Sequence, residues 1–256
     1  MRIAVLSDLH SNLEALEAVL ADLAAQGGVD QTWCLGDIVG YGPDPAETLE
    51  FVRARVDVAI AGNHDYAVAG VIDTSEFNPY AAAAARWTAQ RLSEQQRRFL
   101  KELPAKVEAS ATFTLAHGSP RQPIWEYLLS TAVAQANLSA FNTAYCLVGH
   151  SHVPLLFAFP EAPQGDSPPA IQARLLEPGE VVTLAPGRLI LNPGSVGQPR
   201  DGDPRAAYAL LDTEGLDTAS GTWVQRRVSY DFRRTQDKMR LAGLPAYLGQ
   251  RLASGR

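Results

Sequence analysis

Short apolar runs and longer segments with helical spacing alternate along the first part of the chain. Residues 2–7 (RIAVLS) form an apolar run that ends in a polar cluster, a pattern typical of a buried strand. In residues 13–23 apolar side chains recur every three or four positions, which predicts a helix with one buried face. A strand at 31–35, a helix at 45–55 and a strand at 56–61 continue the alternation. This order predicts parallel strands joined by helical crossovers.

Capping signals place the starts of several helices. Ser11 and Glu14 fit a capping box with Ser11 as the N-cap. A further helix is expected to begin at Asn78, and a second capping box begins another at Ser93. The remaining predicted strands are 107–109, 112–116, 145–148, 155–159, 171–176, 181–184, 189–192, 207–212 and 222–228, with helices at 132–141 and 232–241. The chain is therefore expected to be α/β in its first half and richer in strands in its second.

Length and composition favour one folded unit. The chain has 256 residues, of which 46% are hydrophobic and 20% charged, and this balance excludes the disordered class. We expect a single domain over residues 1–256, with residues 249–256 forming a frayed tail. The stretch Pro160–Pro169 (PEAPQGDSPP) has the composition of a surface loop.

Charge and cysteine content narrow the classes of partner and compartment. The formal net charge is −6, and an acidic surface repels phosphate backbones, so stable binding to nucleic acid or to a membrane surface is not expected. Cys34 and Cys146 each lie in an apolar run, which predicts buried thiols rather than a disulfide framework. No apolar stretch approaches 18 residues, so the expected location is the cytoplasm. The oligomeric state is left open.

Polar clusters follow several predicted strands and contain every histidine of the chain. The clusters are Asp8-Leu9-His10, Gly36-Asp37, Gly62-Asn63-His64-Asp65, His117-Gly118 and Gly149-His150-Ser151-His152. Asp, Asn and His donors suit Mn, Fe, Co, Ni and Zn ions. In an extended segment residues i and i+2 point the same way, so Asp8 and His10 are expected to face one ion, as are His150 and His152. The set is large enough to bind two ions that share one carboxylate.

These motifs, in this order, resemble those of the calcineurin-like metallophosphoesterases. The resemblance covers residues 3–152 and extends to Asn192-Pro193-Gly194-Ser195, a loop found in small prokaryotic members. It implies an α/β fold, a four-layer α/β/β/α sandwich of two mixed sheets flanked by helices. It also implies two divalent transition-metal ions, drawn from Mn, Fe, Ni, Co and Zn with Mn favoured.

The resemblance also implies a role for each motif residue. One ion would be held by Asp8, His10, Asp37 and His152, and the other by Asp37, Asn63, His117 and His150. Two cations about 3.5–4 Å apart can clamp phosphate oxygens and generate hydroxide from water at neutral pH. His64 would donate a proton to the leaving group or a phosphate oxygen, and Asp65 would hold the imidazole in its tautomer. The implied activity is hydrolysis of phosphodiesters or phosphomonoesters.

Substrate contacts are harder to assign from sequence. Asn63, Asn192 and Ser195 are candidates, although the Asn192–Ser195 loop is equally consistent with a plain turn. Arg200 and Arg205 are expected either to neutralise a substrate phosphate or to lie in a solvated loop. The partner is expected to be a small phosphorylated substrate such as a nucleotide. The segments 66–78 and 121–130 are expected to wall the pocket.

Two further questions stay open at this level. The aromatic residues Tyr41, Tyr66 and Trp125 lie near the motifs, where they would either stack on a nucleobase or belong to the core and rim. The alternative to an enzyme is a catalytically silent protein-interaction scaffold on the same fold, as found in relatives that have lost the acid histidine or metal ligands. This chain retains all of those residues, which favours the enzyme.

Overall fold

The computed structural model describes residues 1–160, 171–184, 187–216 and 221–256. Apart from Pro160, the predicted surface loop Pro160–Pro169 lies outside them. The strands are β1 (Arg2–Leu6), β2 (Gln31–Cys34), β3 (Val58–Ala59), β4 (Lys106–Glu108), β5 (Phe113–Ala116), β6 (Tyr145–Val148), β7 (Pro154–Phe159), β8 (Gln172–Leu175), β9 (Val181–Thr183), β10 (Arg188–Pro193), β11 (Ala206–Asp212) and β12 (Thr222–Val228). The helices are α1 (Leu13–Ala25), α2 (Pro45–Arg55), α3 (Asn63–Val68), α4 (Pro79–Arg91), α5 (Glu94–Glu102), α6 (Thr131–Asn137), α7 (Phe232–Leu241) and α8 (Ala246–Leu252).

The described strands form two mixed sheets. One has the order β3-β2-β1-β11-β12-β9 and the other β4-β5-β6-β10-β7-β8. In the first, β1, β2 and β3 are parallel, with Ile3 opposite Gln31 and Leu6 opposite Cys34, while β11 runs antiparallel to β1. In the second, β5, β6 and β10 are parallel. The predicted parallel strands with helical crossovers are confirmed.

Strand alternation divides the apolar residues among three layers of packing. Ile3 and Val5 of β1 contact a cluster drawn from both sheets, including the fully buried Trp223, so this cluster is the core between the sheets. Ala4 and Leu6 point the other way, toward helices such as α1. A third cluster joins the outer face of the second sheet to α6. The predicted four-layer α/β/β/α sandwich is therefore confirmed.

The N-terminus of α1 differs from the prediction. Asn12, not Ser11, is the N-cap, because its Oδ1 accepts a hydrogen bond from the Ala15 N–H at 3.2 Å. Ser11 instead has a left-handed backbone (φ 53°) and belongs to the loop that follows β1. A short helix, α3, begins at Asn63 where the sequence predicted only a polar cluster.

The expectation of a frayed tail at residues 249–256 is wrong. Residues up to Leu252 form α8, in which Leu248 and Leu252 are buried. These two side chains are four residues apart, so they share one helix face, and they pack with Met239 and Leu244. Gly255 then approaches the backbone of Asp203 so closely that a Cβ would lie 2.6 Å from its carbonyl oxygen.

Both cysteines are buried and unpaired, as predicted. Burial raises the pKa of the Cys34 thiol, and it raises the pKa of Cys146 to about 12. Within the described ranges, no helix has the length and apolar character needed to cross a membrane.

Candidate metal centre

The loops that follow β1, β2 and β6 carry most of the backbone strain in the described chain. Asp8, His10, Asp37, His150 and His152 have φ values between 46° and 63°, and the other non-glycine residues with positive φ are Ser11 and Tyr41. Such conformations cost about 1–3 kcal/mol each and persist only where the surrounding structure holds them. The prediction that Asp8 and His10, or His150 and His152, lie on extended segments is therefore wrong. Tight left-handed turns orient these side chains.

Backbone hydrogen bonds hold the first two loops together. The pairing of β1 and β2 continues past the strands, because the N–H of Asp8 donates to Gly36 O at 3.0 Å and that of His10 donates to Asp37 O at 2.9 Å. Close packing leaves no room for a side chain nearby: a Cβ on Gly62 would lie 2.0 Å from Asp37 Oδ1. The glycine at this position is required by space rather than by its backbone angles.

One group of donors comprises Asp8, His10, Asp37 and His152. Their ligand atoms all lie within 4.8 Å of one another, and all four residues are buried. His152 Nε2 lies 3.1 Å from Asp8 Oδ1, and His10 Nε2 lies 3.2 Å from His152 Nε2. His10 Nε2 also lies 3.5 Å from Asp37 Oδ2. The spacing of these atoms would allow one divalent cation to contact all four side chains.

A second group comprises Asp37, His117 and His150, with the same mutual spacing. His117 Nε2 lies 3.4 Å from Asp37 Oδ2, the oxygen that also faces His10. Asn63 is buried beside this group, and its Oδ1 has no hydrogen-bond partner. Asp37 is thus shared by both groups. His150 and His152 belong to different groups, contrary to the prediction from their spacing.

The hydrogen bonds of the histidines show which ring nitrogens have a partner and which do not. The Nδ1 atoms of His10, His117 and His152 face the carbonyls of Val39, Leu35 and Gln198 at 3.3, 2.8 and 2.5 Å. A carbonyl only accepts, so each Nδ1 carries a proton and each Nε2 faces the carboxylates. Asp8 Oδ1, His117 Nε2 and both nitrogens of His150 are buried without a partner. Lone pairs that converge in this way fit a bound cation.

The pKa shifts of the donor residues bear on whether they can bind a cation. Burial lowers the pKa of His10 well below its ordinary value, and it lowers the pKa of His150 to about 3, so both imidazoles are neutral as metal ligation requires. Burial alone would raise the pKa of Asp37, but His117 and the other imidazoles hold it well below its usual range. Burial also opposes protonation of His117, but Asp37 outweighs it and raises the pKa of His117 to about 9. A cation bound at this position would compete with the proton on His117.

His64 and Asp65 do not form the pair that the sequence suggested. The Asp65 carboxylate accepts hydrogen bonds from the backbone N–H groups of Ile38, Val39 and Gly62 at 3.2, 3.0 and 2.9 Å. His64 Nδ1 is buried and has no partner. The expectation that Asp65 holds the His64 imidazole is therefore wrong. Asp65 ties the loop after β2 to the start of α3, because three donors converge on its two oxygens.

The ring of His64 is held by aromatic neighbours. It lies 4.3 Å from the Tyr41 ring, 4.7 Å from Phe77 and 5.0 Å from His10, between ring centroids. Burial lowers the pKa of His64 to about 4. Its backbone N–H donates to Asp37 Oδ1 at 2.9 Å, which links this residue to the shared carboxylate.

Two of the residues predicted to contact substrate, Asn192 and Ser195, are hydrogen-bonded to other groups of the protein. The Asn192 Nδ2 group donates to Gly149 O at 2.7 Å and to Ser151 Oγ at 3.0 Å, while its Oδ1 accepts from the Gly194 N–H. Ser195 Oγ donates to Asp8 O and accepts from the Gln198 N–H, both at 2.8 Å. Both side chains are buried and have no free group to offer a ligand. Assigning Asn192 and Ser195 to substrate binding is therefore wrong, and they hold the ligand loops instead.

The two candidate arginines lie in different places. Arg205 pairs with Asp203 through three hydrogen bonds of 2.6–3.0 Å and lines a separate pocket, so its assignment to the site is wrong. Arg200 lines the cavity together with members of the two donor groups. Its Nη2 donates to Gln198 Oε1 at 3.2 Å and to Tyr41 Oη at 3.4 Å, and its Nε is buried without a partner. Among the ion pairs of the described residues none includes Arg200, so its charge has no carboxylate counterpart.

A cavity lined by members of both donor groups opens at this end of the strands. Its walls come from the two segments predicted for this role, with Glu76, Phe77 and Asn78 from 66–78 and Trp125 and Tyr127 from 121–130. Its floor and remaining wall are formed by Asp37, Tyr41, Asn63, His64, Ala81, His150, His152 and Arg200.

The aromatic residues near the motifs divide between wall and core. Tyr41 and Trp125 line the cavity, whereas Tyr66 points away and donates to Leu103 O. Tyr127, which no sequence signal singled out, stacks on His150 with ring centroids 4.0 Å apart. Only its place in the 121–130 segment pointed to it.

Comparison with known proteins is consistent with this geometry. Residues 1–216 match the family model described as the Calcineurin-like phosphoesterase superfamily domain. The chain is 38% identical over 259 residues to the uncharacterized protein MJ0912 of Methanocaldococcus jannaschii, covering 99% of this chain and 98% of the relative. A shorter match, 40% over 63 residues, covers 24% of this chain and 23% of the symmetrical bis(5'-nucleosyl)-tetraphosphatase of Psychromonas ingrahamii.

Solved structures show the same similarity in three dimensions. A metallophosphoesterase from Sphaerobacter thermophilus is 44% identical, covers the whole of both chains and superposes with a TM-score of 0.87. The hypothetical protein PH1004 from Pyrococcus horikoshii shares the fold, at 23% identity and a TM-score of 0.76 over 100% of this chain and 98% of the other. With its buried His/Asp cluster at the strand ends, this chain belongs to the calcineurin-like phosphoesterase superfamily.

Proposed function

We propose that this protein hydrolyses phosphoric esters with two divalent cations bound at the shared carboxylate. Asp8, His10, Asp37 and His152 would hold one cation, and Asp37, Asn63, His117 and His150 would hold the other. The observation that carries the proposal is the position of Asp37 Oδ2, which lies 3.5 Å from His10 Nε2 and 3.4 Å from His117 Nε2. A carboxylate oxygen that faces a histidine of each group would suit a pair of cations that share one carboxylate.

When bound, the cations would supply positive charge that neutralises phosphate oxygens and lowers the pKa of water enough for attack on phosphorus at neutral pH. His64 lies in the wall of the cavity, where the negative charge of a bound phosphate would raise the pKa of its imidazole and allow it to donate a proton to the oxygen of the departing group. Asp65 would act indirectly. It accepts a hydrogen bond from the Gly62 N–H and so fixes the backbone next to His64.

Arg200 and Asn63 are the protein groups placed to bind the substrate phosphate. The guanidinium of Arg200 lies in the cavity wall without a carboxylate partner, and a phosphate oxygen would supply the missing negative charge. Asn63 lines the cavity and its oxygen has no hydrogen-bond partner, so this oxygen could face a cation while the NH₂ group donates to phosphate.

The substrate is proposed to be small, with a nucleotide as the leading class. The aromatic rings of Phe77, Trp125 and Tyr127 face the cavity, and rings in this position can stack on a base. The matched relatives named symmetrical bis(5'-nucleosyl)-tetraphosphatases act on nucleotides, which supports the same class. The proposal covers both phosphodiesters and phosphomonoesters. Mn²⁺ is the favoured cation.

The test is hydrolysis of p-nitrophenyl phosphate, bis-p-nitrophenyl phosphate and a panel of nucleotides, each with added Mn²⁺, Fe²⁺, Co²⁺, Ni²⁺, Zn²⁺ or Mg²⁺. We expect turnover with at least one substrate and cation, and two metal ions per chain by elemental analysis. The control is Asp37→Ala, which removes the shared carboxylate. A wild-type rate equal to that of Asp37→Ala across the whole panel would refute the enzymatic proposal and leave the scaffold alternative.

A further inference from the structure

Three of the four histidines in the donor groups share a feature that the fourth lacks. His10, His117 and His152 each have Nδ1 hydrogen-bonded to a backbone carbonyl, which fixes the ring. For His150 both ring nitrogens are without a hydrogen-bond partner in the described part of the chain. A ligand imidazole is normally oriented by a hydrogen bond through its second nitrogen. His150 therefore needs another source of orientation.

The ring of His150 is held by stacking. The Tyr127 ring lies parallel to it, with centroids 4.0 Å apart and planes inclined by 22°. His117 also makes an edge contact with it, at 5.0 Å between centroids and an angle of 62°. The backbone of His150 is fixed separately, because its N–H donates to Asp8 Oδ2 at 3.1 Å. Rotation of the imidazole out of the donor group is therefore opposed mainly by Tyr127.

Tyr127 stands on a segment that is itself well anchored. The neighbouring Glu126 carboxylate accepts hydrogen bonds from Ser119 Oγ at 2.7 Å, Asn137 Nδ2 at 2.8 Å and Arg121 Nε at 2.9 Å. Ser119 lies in the loop directly after β5, so this network ties the segment to the loop that carries His117. The side chain of Tyr127 is 47% exposed, so it contributes little to the core.

We propose that Tyr127 is a positioning residue that orients the His150 imidazole for the cation of the second donor group. The inference rests on the proposed function, because it concerns one of the two cation sites. Stacking leaves both imidazole nitrogens free, and it acts through the aromatic ring rather than the phenol hydroxyl. Loss of the ring weakens the second cation site selectively and leaves the first site unchanged.

The experiment is a metal titration of the full-length chain after treatment with a chelator. Wild type, Tyr127→Ala, Tyr127→Leu, Tyr127→Phe and Trp125→Ala are dialysed against graded Mn²⁺ and Co²⁺, with metal counted by elemental analysis and Co²⁺ coordination followed by visible absorption. In Tyr127→Ala and Tyr127→Leu we expect the second equivalent to bind about 3- to 10-fold more weakly. Tyr127→Phe should match wild type, because it keeps the ring. Trp125→Ala is the matched control, since Trp125 lines the same cavity and its ring contact is with Phe77.

Each outcome separates the inference from the proposed function. A wild-type chain that binds fewer than two equivalents refutes the dinuclear site itself. Two equivalents with unchanged affinity in both Tyr127→Ala and Tyr127→Leu overturn the positioning role. A raised KM in those variants with unchanged metal binding also overturns it and makes Tyr127 a wall of the substrate cavity. If Tyr127→Ala does not fold, as judged by circular dichroism, the test relies on Tyr127→Leu. This variant keeps the apolar bulk but removes the ring, so the affinity of its second metal equivalent answers the same question.

Discussion

The two donor groups that share Asp37 are held in place by different means. In the first group the rings of His10 and His152 are both fixed by backbone carbonyls. In the second group His117 is fixed in the same way, but His150 is held by stacking on Tyr127. Both imidazoles of the first group are therefore oriented by the backbone, whereas one imidazole of the second group depends on another side chain. We expect the first group to bind its cation more tightly.

The largest effect should come from a change that disturbs both groups at once. In Gly62→Ala the new Cβ would lie 2.0 Å from Asp37 Oδ1, so the shared carboxylate must move. We expect loss of both cations and a rate no higher than that of Asp37→Ala. Gly70→Ala is the control, because a Cβ there meets nothing within 4 Å, although its φ of 72° costs about 1 kcal/mol of stability. Two bound metal ions in Gly62→Ala would contradict this prediction.

Removing the His64 side chain should lower the rate of hydrolysis without changing metal binding by either donor group. We expect His64→Ala to keep two metal ions per chain but to hydrolyse substrate roughly 10²–10⁴-fold more slowly, the usual contribution of a positioned acid or base. His150→Ala is the matched histidine variant and should lose one metal ion. Elemental analysis and steady-state rates distinguish the two cases. Metal loss in His64→Ala would show that His64 is a ligand or supports one.

Substrate affinity should depend on Arg200 rather than on either donor group. In Arg200→Met the cavity loses its unpaired cation, and we expect KM to rise about 10-fold or more with a smaller change in kcat. Arg205→Met removes the same charge from a separate pocket and should leave KM unchanged. Equal changes in KM for the two variants would mean that long-range charge, not contact, is responsible.

The smallest effect, on the Tm, should come from the Glu126 carboxylate, whose hydrogen bonds hold the segment that carries Tyr127. The hydrogen bond from Arg121 is the main cause that lowers the pKa of Glu126 to about 2, below its ordinary value of 4.5. Its contribution to stability is therefore present above pH 4.5 and is lost as the pH falls toward 2. We expect Glu126→Gln to lower the Tm by about 1–3 °C at pH 7, with the difference from wild type narrowing by pH 3.

The control for that measurement is Glu102→Gln, which breaks the exposed pair between Arg98 and Glu102. An exposed ion pair contributes little, so its Tm should match wild type throughout the pH range. A Tm difference for Glu126→Gln that does not change with pH would mean that the lost hydrogen bonds, rather than the charge, are responsible.

Much of the architecture could be predicted because the signals were local. Apolar runs ending in Asp8 or His117 marked the strand ends, and parallel strands bring their carboxyl ends to one edge of a sheet. Partners of polar side chains were not predictable in this way. Asp65 lies beside His64 in sequence but bonds to the loop after β2, and Asn192 bonds to the loop after β6. Hydrogen bonds between loops depend on distances that no spacing along the chain encodes.

The sequence by itself determined the order of strands and helices, the burial of their apolar faces and the identity of the donor residues. These follow from side-chain chemistry and from periodicity over a few positions. Only the tertiary structure showed the grouping of the donors that spacing along the chain alone did not give, because left-handed turns place His150 and His152 in different groups. It also decided which charge remains unpaired in the cavity and which ring stacks on His150, because both depend on packing between segments far apart in the chain.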